Sequence, residues 1–214
     1  MDKNNNSLAL SLLTCGFAGS LVIASVLAAK IITIGGLVVP AGVLAYSVTF
    51  IATDVISELW GKKQAKRTVL GGFLALFVCM LLIKISLIWP SASFWDGQEN
   101  FQAVLGITPR IIMASFAAYL ISQTHDVWAF HFWKKIFRGR HLWFRNNIST
   151  ASAQLLDTVV FISVAFWGTM PVLELITGQY VVKLGIALLD TPLIYLFVWL
   201  IRKKTLNGKV QMES

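Results

Sequence analysis

The sequence predicts an all-α, polytopic membrane protein with six transmembrane helices in one domain, residues 1–214. Three observations carry that expectation. Of 214 residues, 57% are hydrophobic and only 13% are charged, about half the charged fraction of an average soluble domain. The apolar residues gather into six long runs, each near the roughly 20 residues that a helix needs to cross a hydrocarbon core. Most basic residues fall in alternate gaps between those runs. The same features exclude other classes. A soluble domain would lack polar side chains to cover its surface, and disorder is excluded by the hydrophobicity. A disulfide scaffold is excluded because there are only two cysteines, Cys15 and Cys79, both in apolar runs. A large enzyme with separate catalytic and membrane domains is excluded by length.

The first span is expected over residues 7–29. Its apolar part is too long for a signal-peptide core, so it reads as a retained helix. A segment with Gly35, Gly36 and Pro40 then breaks the helix. The second span covers 41–59, with Gly61 as its stop. The third covers 65–89, ahead of Pro90. Residues 91–106 are polar and aromatic and read as a loop or interfacial turn, in which Trp95 and Phe101 are candidates to line a substrate entrance. The fourth span covers 109–132, with Pro109 at a helix start. The fifth covers 147–167 and the sixth 178–201.

Charge placement sets the orientation. Lys3 precedes span one. Lys62, Lys63, Lys66 and Arg67 lie between spans two and three, and Lys134, Lys135, Arg138, Arg140 and Arg145 between spans four and five. Arg202, Lys203, Lys204 and Lys209 follow span six. Fourteen of the 18 basic residues thus share one side, which predicts an N-in, C-in chain. The net charge of +8 is therefore read as topology and lipid contact, not as nucleic-acid binding. Trp60, Trp89, Trp133 and Trp143 near span ends read as interfacial anchors.

The informative residues are those that cost energy in lipid. An Asp at a helix centre costs about 2.5–3.5 kcal/mol. Asp157 and Asp190 fall near the middle of spans five and six, and Asp54 and Asp126 in the cytoplasmic parts of spans two and four. Helical spacing gives each one company. Asn147, Thr150, Gln154, Asp157 and Phe161 form a stripe on span five. Ser115, Tyr119, Gln123 and Asp126 do so on span four, Tyr180, Lys183, Ala187 and Asp190 on span six, and Tyr46, Phe50, Asp54 and Ser57 on span two, with Glu58 beside Asp54. The simplest geometry points these faces at a shared mid-membrane cavity. The plainer alternative is structural pairing, with Lys183, Arg110 and Lys84 as partners. Carboxylate, amide and aromatic groups together suit a flat, nitrogen-rich heterocycle. Pro192, two residues after Asp190, reads either as a helix break beside a binding site or as a simple kink.

His125, His131 and His141 do not make a metal set, and no phosphate loop, nucleophile elbow or zinc motif appears. No metal, cofactor or enzymatic chemistry is expected.

Four polar motifs carry a family resemblance. They are the run from Phe50 through Thr53, Asp54, Ser57, Glu58 and Trp60 to Ala65; the run from Arg110 through Ser115 and Tyr119 to Gln123 and Asp126; Leu142–Thr150 with Trp143, Arg145, Asn146, Asn147 and Ser149, continuing to Gln154, Asp157 and Thr158; and Tyr180 to Lys183, followed by Asp190, Thr191 and Pro192. From about Lys30 to Ile201 the chain resembles the bacterial queuosine precursor transporters. The resemblance implies a multi-pass protein of the bacterial inner membrane, similar in size and helix count to the substrate-binding components of energy-coupling-factor vitamin transporters. It implies import of 7-cyano-7-deazaguanine, 7-aminomethyl-7-deazaguanine or both, without an ATPase module.

On that basis Asp157 is the expected acceptor for the ring N–H and exocyclic amine, with Gln154, Gln123 and Asn147 beside it and Phe161 or Tyr119 stacking on the ring. Asp54, Asp126, Lys183, Asp190 and Arg110 are candidates for gating pairs or proton coupling, and Glu58 ranks below Asp54. The alternatives are a binding component that needs a separate energising module, a transporter of another small heterocycle, and a structural membrane protein without a ligand. The expected partners are the small-molecule substrate and membrane lipid. A homo-oligomer stays open, because the small-residue patches Ala24–Ala29 and Ala114, Ala117, Ala118 suit either a partner helix or packing within one chain.

Overall fold

The computed structural model describes residues 3–136 and 142–210. Arg138, Arg140 and His141 lie outside the described residues, as do the side chains of Trp133, Lys134, Lys135, Trp143 and Arg145. The chain is predominantly helical. Its elements are α1 (Lys3–Leu27), β1 (Ile31–Ile34), β2 (Leu37–Pro40), α2 (Gly42–Trp60), α3 (Lys62–Ile88), α4 (Gln98–Leu105), α5 (Thr108–Ile136), α6 (Leu142–Phe166) and α7 (Val172–Val210). Six of these helices contain the six apolar runs. Among the described residues, four stretches are long and apolar enough to cross a membrane: Ser7–Leu27, Gly42–Trp60, Lys62–Ile88 and Gln98–His125. Ala151–Phe166, within α6, is a shorter apolar stretch.

Two expectations about the connections are corrected. The segment after α1 is an antiparallel hairpin and not merely a helix break, so the fold is not purely α. Ile31 pairs with Pro40 and Ile34 with Leu37, leaving Gly35–Gly36 as a two-residue turn. Both glycines have positive φ, +56° and +82°, which the favoured hairpin turn demands and which a side chain would resist. The β-branched Ile, Thr and Val residues then extend naturally on each side. The stretch expected as a loop over 91–106 contains the helix α4, whose first turn carries Glu99 against the helix dipole. Pro192 lies inside α7 without ending it.

The hairpin, α4, the starts of α2, α5 and α7 and the ends of α1, α3 and α6 follow one another in the chain at what we call the hairpin end. β2 packs on α7 so closely that a Cβ at Gly178 would collide with the Val38 carbonyl oxygen. Two apolar clusters hold the bundle. One joins Ala28, Ile111, Ala114, Ile162, Ala165, Phe166 and Leu175, near the hairpin end of α1, α5, α6 and α7. The other joins Phe17, Leu21, Ala52, Leu76, Met80 and Ile112 across α1, α2, α3 and α5. The small residues are used within the chain: Ala24 and Ala28 are buried where α1 meets Gly42 of α2, and Ala114 and Ala118 are buried on α5. α3, in contrast, exposes Leu70, Leu74, Phe77, Leu81, Ile85 and Ile88, an apolar face suited to lipid.

Candidate functional site

The polar centre of the bundle is a salt bridge. Lys183 of α7 and Asp157 of α6 approach to 2.8 Å, Nζ to Oδ2. Lys183 is only 4% exposed and the Asp157 side chain 22%. An unpaired charge is costly to bury at such a place, whereas a paired one is tolerated. Lys183 Nζ also lies 3.4 Å from Thr158 Oγ1, and 5.5 Å from the centre of the Tyr46 ring on α2, within cation–π range. From α5, Ser122 Oγ reaches the other oxygen of Asp157 at 3.5 Å. Four helices therefore converge on one carboxylate–ammonium pair.

Depth follows from helix rise. Asp157 lies nine residues before the end of α6, Lys183 eleven after the start of α7, and Ser122 fourteen after the start of α5. At 1.5 Å per residue these are about 14, 17 and 21 Å from the hairpin end. The apolar cluster around Ile111, Ile162, Phe166 and Leu175 belongs to the turns of the same helices nearer the hairpin end. It therefore caps the pair on that side.

Unsatisfied amides accompany the pair. Gln154, one turn before Asp157–Thr158, and Gln179, one turn before Lys183, each bury an Oε1 atom that has no hydrogen-bond partner among the described residues. A buried acceptor left unpaired costs about 1–3 kcal/mol, so these positions favour a ligand that supplies N–H donors. His125 Nδ1, one turn beyond Ser122, is buried and likewise has no partner among the described residues.

The expected site residues separate into groups. Asp157 and Gln154 lie at the polar centre, and Lys183, expected as a gating residue, is Asp157's partner. Gln123 is exposed, and its neighbour Ser122 makes the contact from α5. Tyr119 is packed edge-on against Phe73, with centroids 4.5 Å apart. Phe161 packs against the apolar cluster near the hairpin end, edge-on to Phe166 at 6.2 Å. The aromatic ring that faces the charged pair is instead that of Tyr46. Arg110 is committed to the end of α6: its Nε donates to the Val164 carbonyl at 2.7 Å and its Nη2 to the Trp167 carbonyl at 2.9 Å. Asp54 and Glu58 are exposed on α2, and both have interaction partners. The side chains of Asp126, Asn147 and Asp190 lie outside the described residues. Trp95 and Phe101 meet edge-on at 6.1 Å, in an open pocket of about 400 Å³ at the hairpin end with Trp89 and Gln98. Among the described residues, no group of three or more His, Cys, Asp or Glu is placed to hold a metal ion.

Sequence reasoning missed Gln179, Ser122 and Thr158 as members of this centre. Gln179 carried a usable signal, since it lies four residues before Lys183 and therefore on the same helical face.

Residues 40–197 match the family model described as "Putative vitamin uptake transporter". The chain belongs to that family. The family is one of transporters, so the protein is a multi-pass membrane transporter and not an enzyme. The chain is 34% identical over 184 residues to the "Probable queuosine precursor transporter" of Bacillus subtilis (strain 168), covering 84% of this chain and 80% of that protein. It is 28% identical over 126 residues to the "Probable queuosine precursor transporter" of Haemophilus influenzae (strain ATCC 51907 / DSM 11121 / KW20 / Rd), 59% of this chain and 51% of that one. It is also 28% identical over 129 residues to the "Queuosine precursor transporter" of Escherichia coli (strain K12), 59% of this chain and 54% of that one. No solved structure matches the chain. The matched region of the family model runs from β2 into α7 and so includes Tyr46, Ser122, Gln154, Asp157, Gln179 and Lys183.

Proposed function

We propose that this protein imports queuosine precursors, 7-cyano-7-deazaguanine, 7-aminomethyl-7-deazaguanine or both, across the bacterial inner membrane. The observation that carries the proposal is the 34% identity over 84% of the chain to a protein named as a queuosine precursor transporter. The polar centre supplies a chemistry that fits. A carboxylate accepts two adjacent N–H groups of a guanine-like edge, as found in 7-deazaguanines. The unpaired Oε1 atoms of Gln154 and Gln179 accept further N–H groups. Tyr46 supplies a neighbouring aromatic surface.

In this reading the six long helices all span the membrane, with the N- and C-termini in the cytoplasm. The basic residues at positions 62–67, 134–145 and 202–209 support that orientation. The hairpin end then faces outward. The apolar cluster beneath it closes the site from outside, and substrate passes when this cluster opens.

The test is uptake of labelled precursor by cells that cannot synthesise it and lack their own transporter. Expression of the chain should restore uptake of at least one of the two 7-deazaguanines, and unlabelled guanine in equal amount should not abolish it. Absence of uptake of both compounds by a correctly inserted protein contradicts the proposal. Reconstitution of the purified chain in liposomes separates self-sufficient transport from dependence on an energising module.

A further inference from the structure

We infer that Lys183 competes with substrate for Asp157, and that the exchange weakens the polar tie between α6 and α7. The inference rests on the site assignment proposed above and adds to it the event that couples binding to movement.

The pair is unequal in three ways. First, the carboxylate is the accessible partner: Asp157 is 22% exposed and Lys183 4%. An arriving ligand therefore meets the acceptor before the donor. Second, Asp157 is only partly committed. Oδ2 holds the ammonium at 2.8 Å, while among the described residues Oδ1 has only the 3.5 Å contact from Ser122. A planar ligand with two adjacent N–H groups satisfies both oxygens at once, which one ammonium does not. Third, Lys183 has other places for its charge. Thr158 Oγ1 is 3.4 Å away and the Tyr46 ring centre 5.5 Å, so an ammonium leaving the carboxylate keeps a hydrogen-bond acceptor and an aromatic face. Displacement gives up the ion pair but keeps these two contacts, so it does not strand a bare buried charge.

The salt bridge also ties α6 to α7 at the level of the site. Nearer the hairpin end, those helices meet through Phe166 and Leu175 in the apolar cluster that caps the site. Opening the ion pair leaves the longer contacts of Lys183 to Thr158 and of the Tyr180 hydroxyl to the Ala151 carbonyl, each 3.4 Å, together with non-directional apolar packing, and this combination slides more readily than an ion pair with fixed geometry. Because the displaced ammonium stays in the site, it also sets selectivity. It repels the cationic 7-aminomethyl compound and does not repel the neutral 7-cyano compound.

The test measures binding of both 7-deazaguanines to the full chain in lipid nanodiscs, for wild type, Lys183→Met, Lys183→Gln and Asp157→Asn. Removing the competitor should tighten binding of the cyano compound about ten-fold, the scale of one charge-assisted hydrogen bond. It should tighten the aminomethyl compound more, and in both Lys183 variants uptake should slow although affinity rises. Lys183→Gln, which keeps a hydrogen-bond donor without the charge, carries the test if Lys183→Met does not fold. The inference is overturned if Asp157→Asn loses binding while the Lys183 variants bind as weakly as wild type or more weakly. If Asp157→Asn binds as wild type does, the site assignment itself falls.

Discussion

Replacing Asp157 by Asn removes one charge while keeping size and one carbonyl oxygen toward Lys183. The ammonium is then left 4% exposed against a neutral partner. Breaking a fully buried pair by removing one member costs about 3–5 kcal/mol. Here the cost is smaller, because Asp157 is 22% exposed, the Asn oxygen still accepts, and Thr158 and Tyr46 still face the ammonium. A loss of about 1–3 kcal/mol is expected for Asp157→Asn. Lys183→Met strands the carboxylate and should cost a similar amount. The double variant removes both charges and fits an apolar bundle, so it should lose less than the sum of the single variants, with a coupling of about 1–2 kcal/mol. The assay is reversible unfolding of the ligand-free chain in mixed micelles, run as a double-mutant cycle. Additive losses would refute the reasoning, because they would mean that the two side chains do not share an interaction in the folded membrane protein.

Other outcomes follow from the same structure. Arg110→Ala should destabilise the chain by about 1–2 kcal/mol by freeing the Val164 and Trp167 carbonyls, and Arg110→Lys should recover part of the loss; the same unfolding assay reads both. Gly178→Leu should cost more than about 2 kcal/mol, because β2 leaves no room beside Val38, whereas Gly185→Ala, which meets open space, should be neutral or mildly stabilising in thermal unfolding. In a chain with Cys15 and Cys79 changed to Ser, a cysteine placed at Ser91 should react with an impermeant thiol reagent in intact cells, and one placed at Lys204 should react only after lysis. The reverse pattern would invert the assigned orientation.

The helices were legible because a bilayer demands long apolar runs, and these survive without any knowledge of packing. The hairpin was not, because Ile31–Ile34 and Leu37–Pro40 are too short to show a strand period and follow an apolar helix with little change in composition. The helix α4 is eight residues long and reads equally well as an interfacial turn. At the site, the stripe containing Gln154 and Asp157 was visible because polar residues in a greasy helix mark their own face. The phase of α5 was harder to read. Ser122 and Gln123 differ by one residue, or about 100° of rotation, and both belong to a polar run, Ser122–Asp126, that gives no single phase. Only packing decides that Ser122 turns inward and Gln123 outward. Pairing between helices was equally hidden. Lys183, Arg110 and Lys84 were equivalent partners on paper, until the bundle placed Lys183 at 2.8 Å from Asp157 and Arg110 on the end of α6. The roles expected of Tyr119 and Phe161 came from their stripes alone, and both rings are engaged in apolar packing.

The most direct test is an experimental structure of the chain with a 7-deazaguanine bound in lipid. The ring edge should lie on the Asp157 carboxylate, with Gln154 and Gln179 in hydrogen-bond range and Lys183 moved toward Thr158 and Tyr46. Ligand density elsewhere, with the Lys183–Asp157 pair still closed at 2.8 Å, would contradict the account.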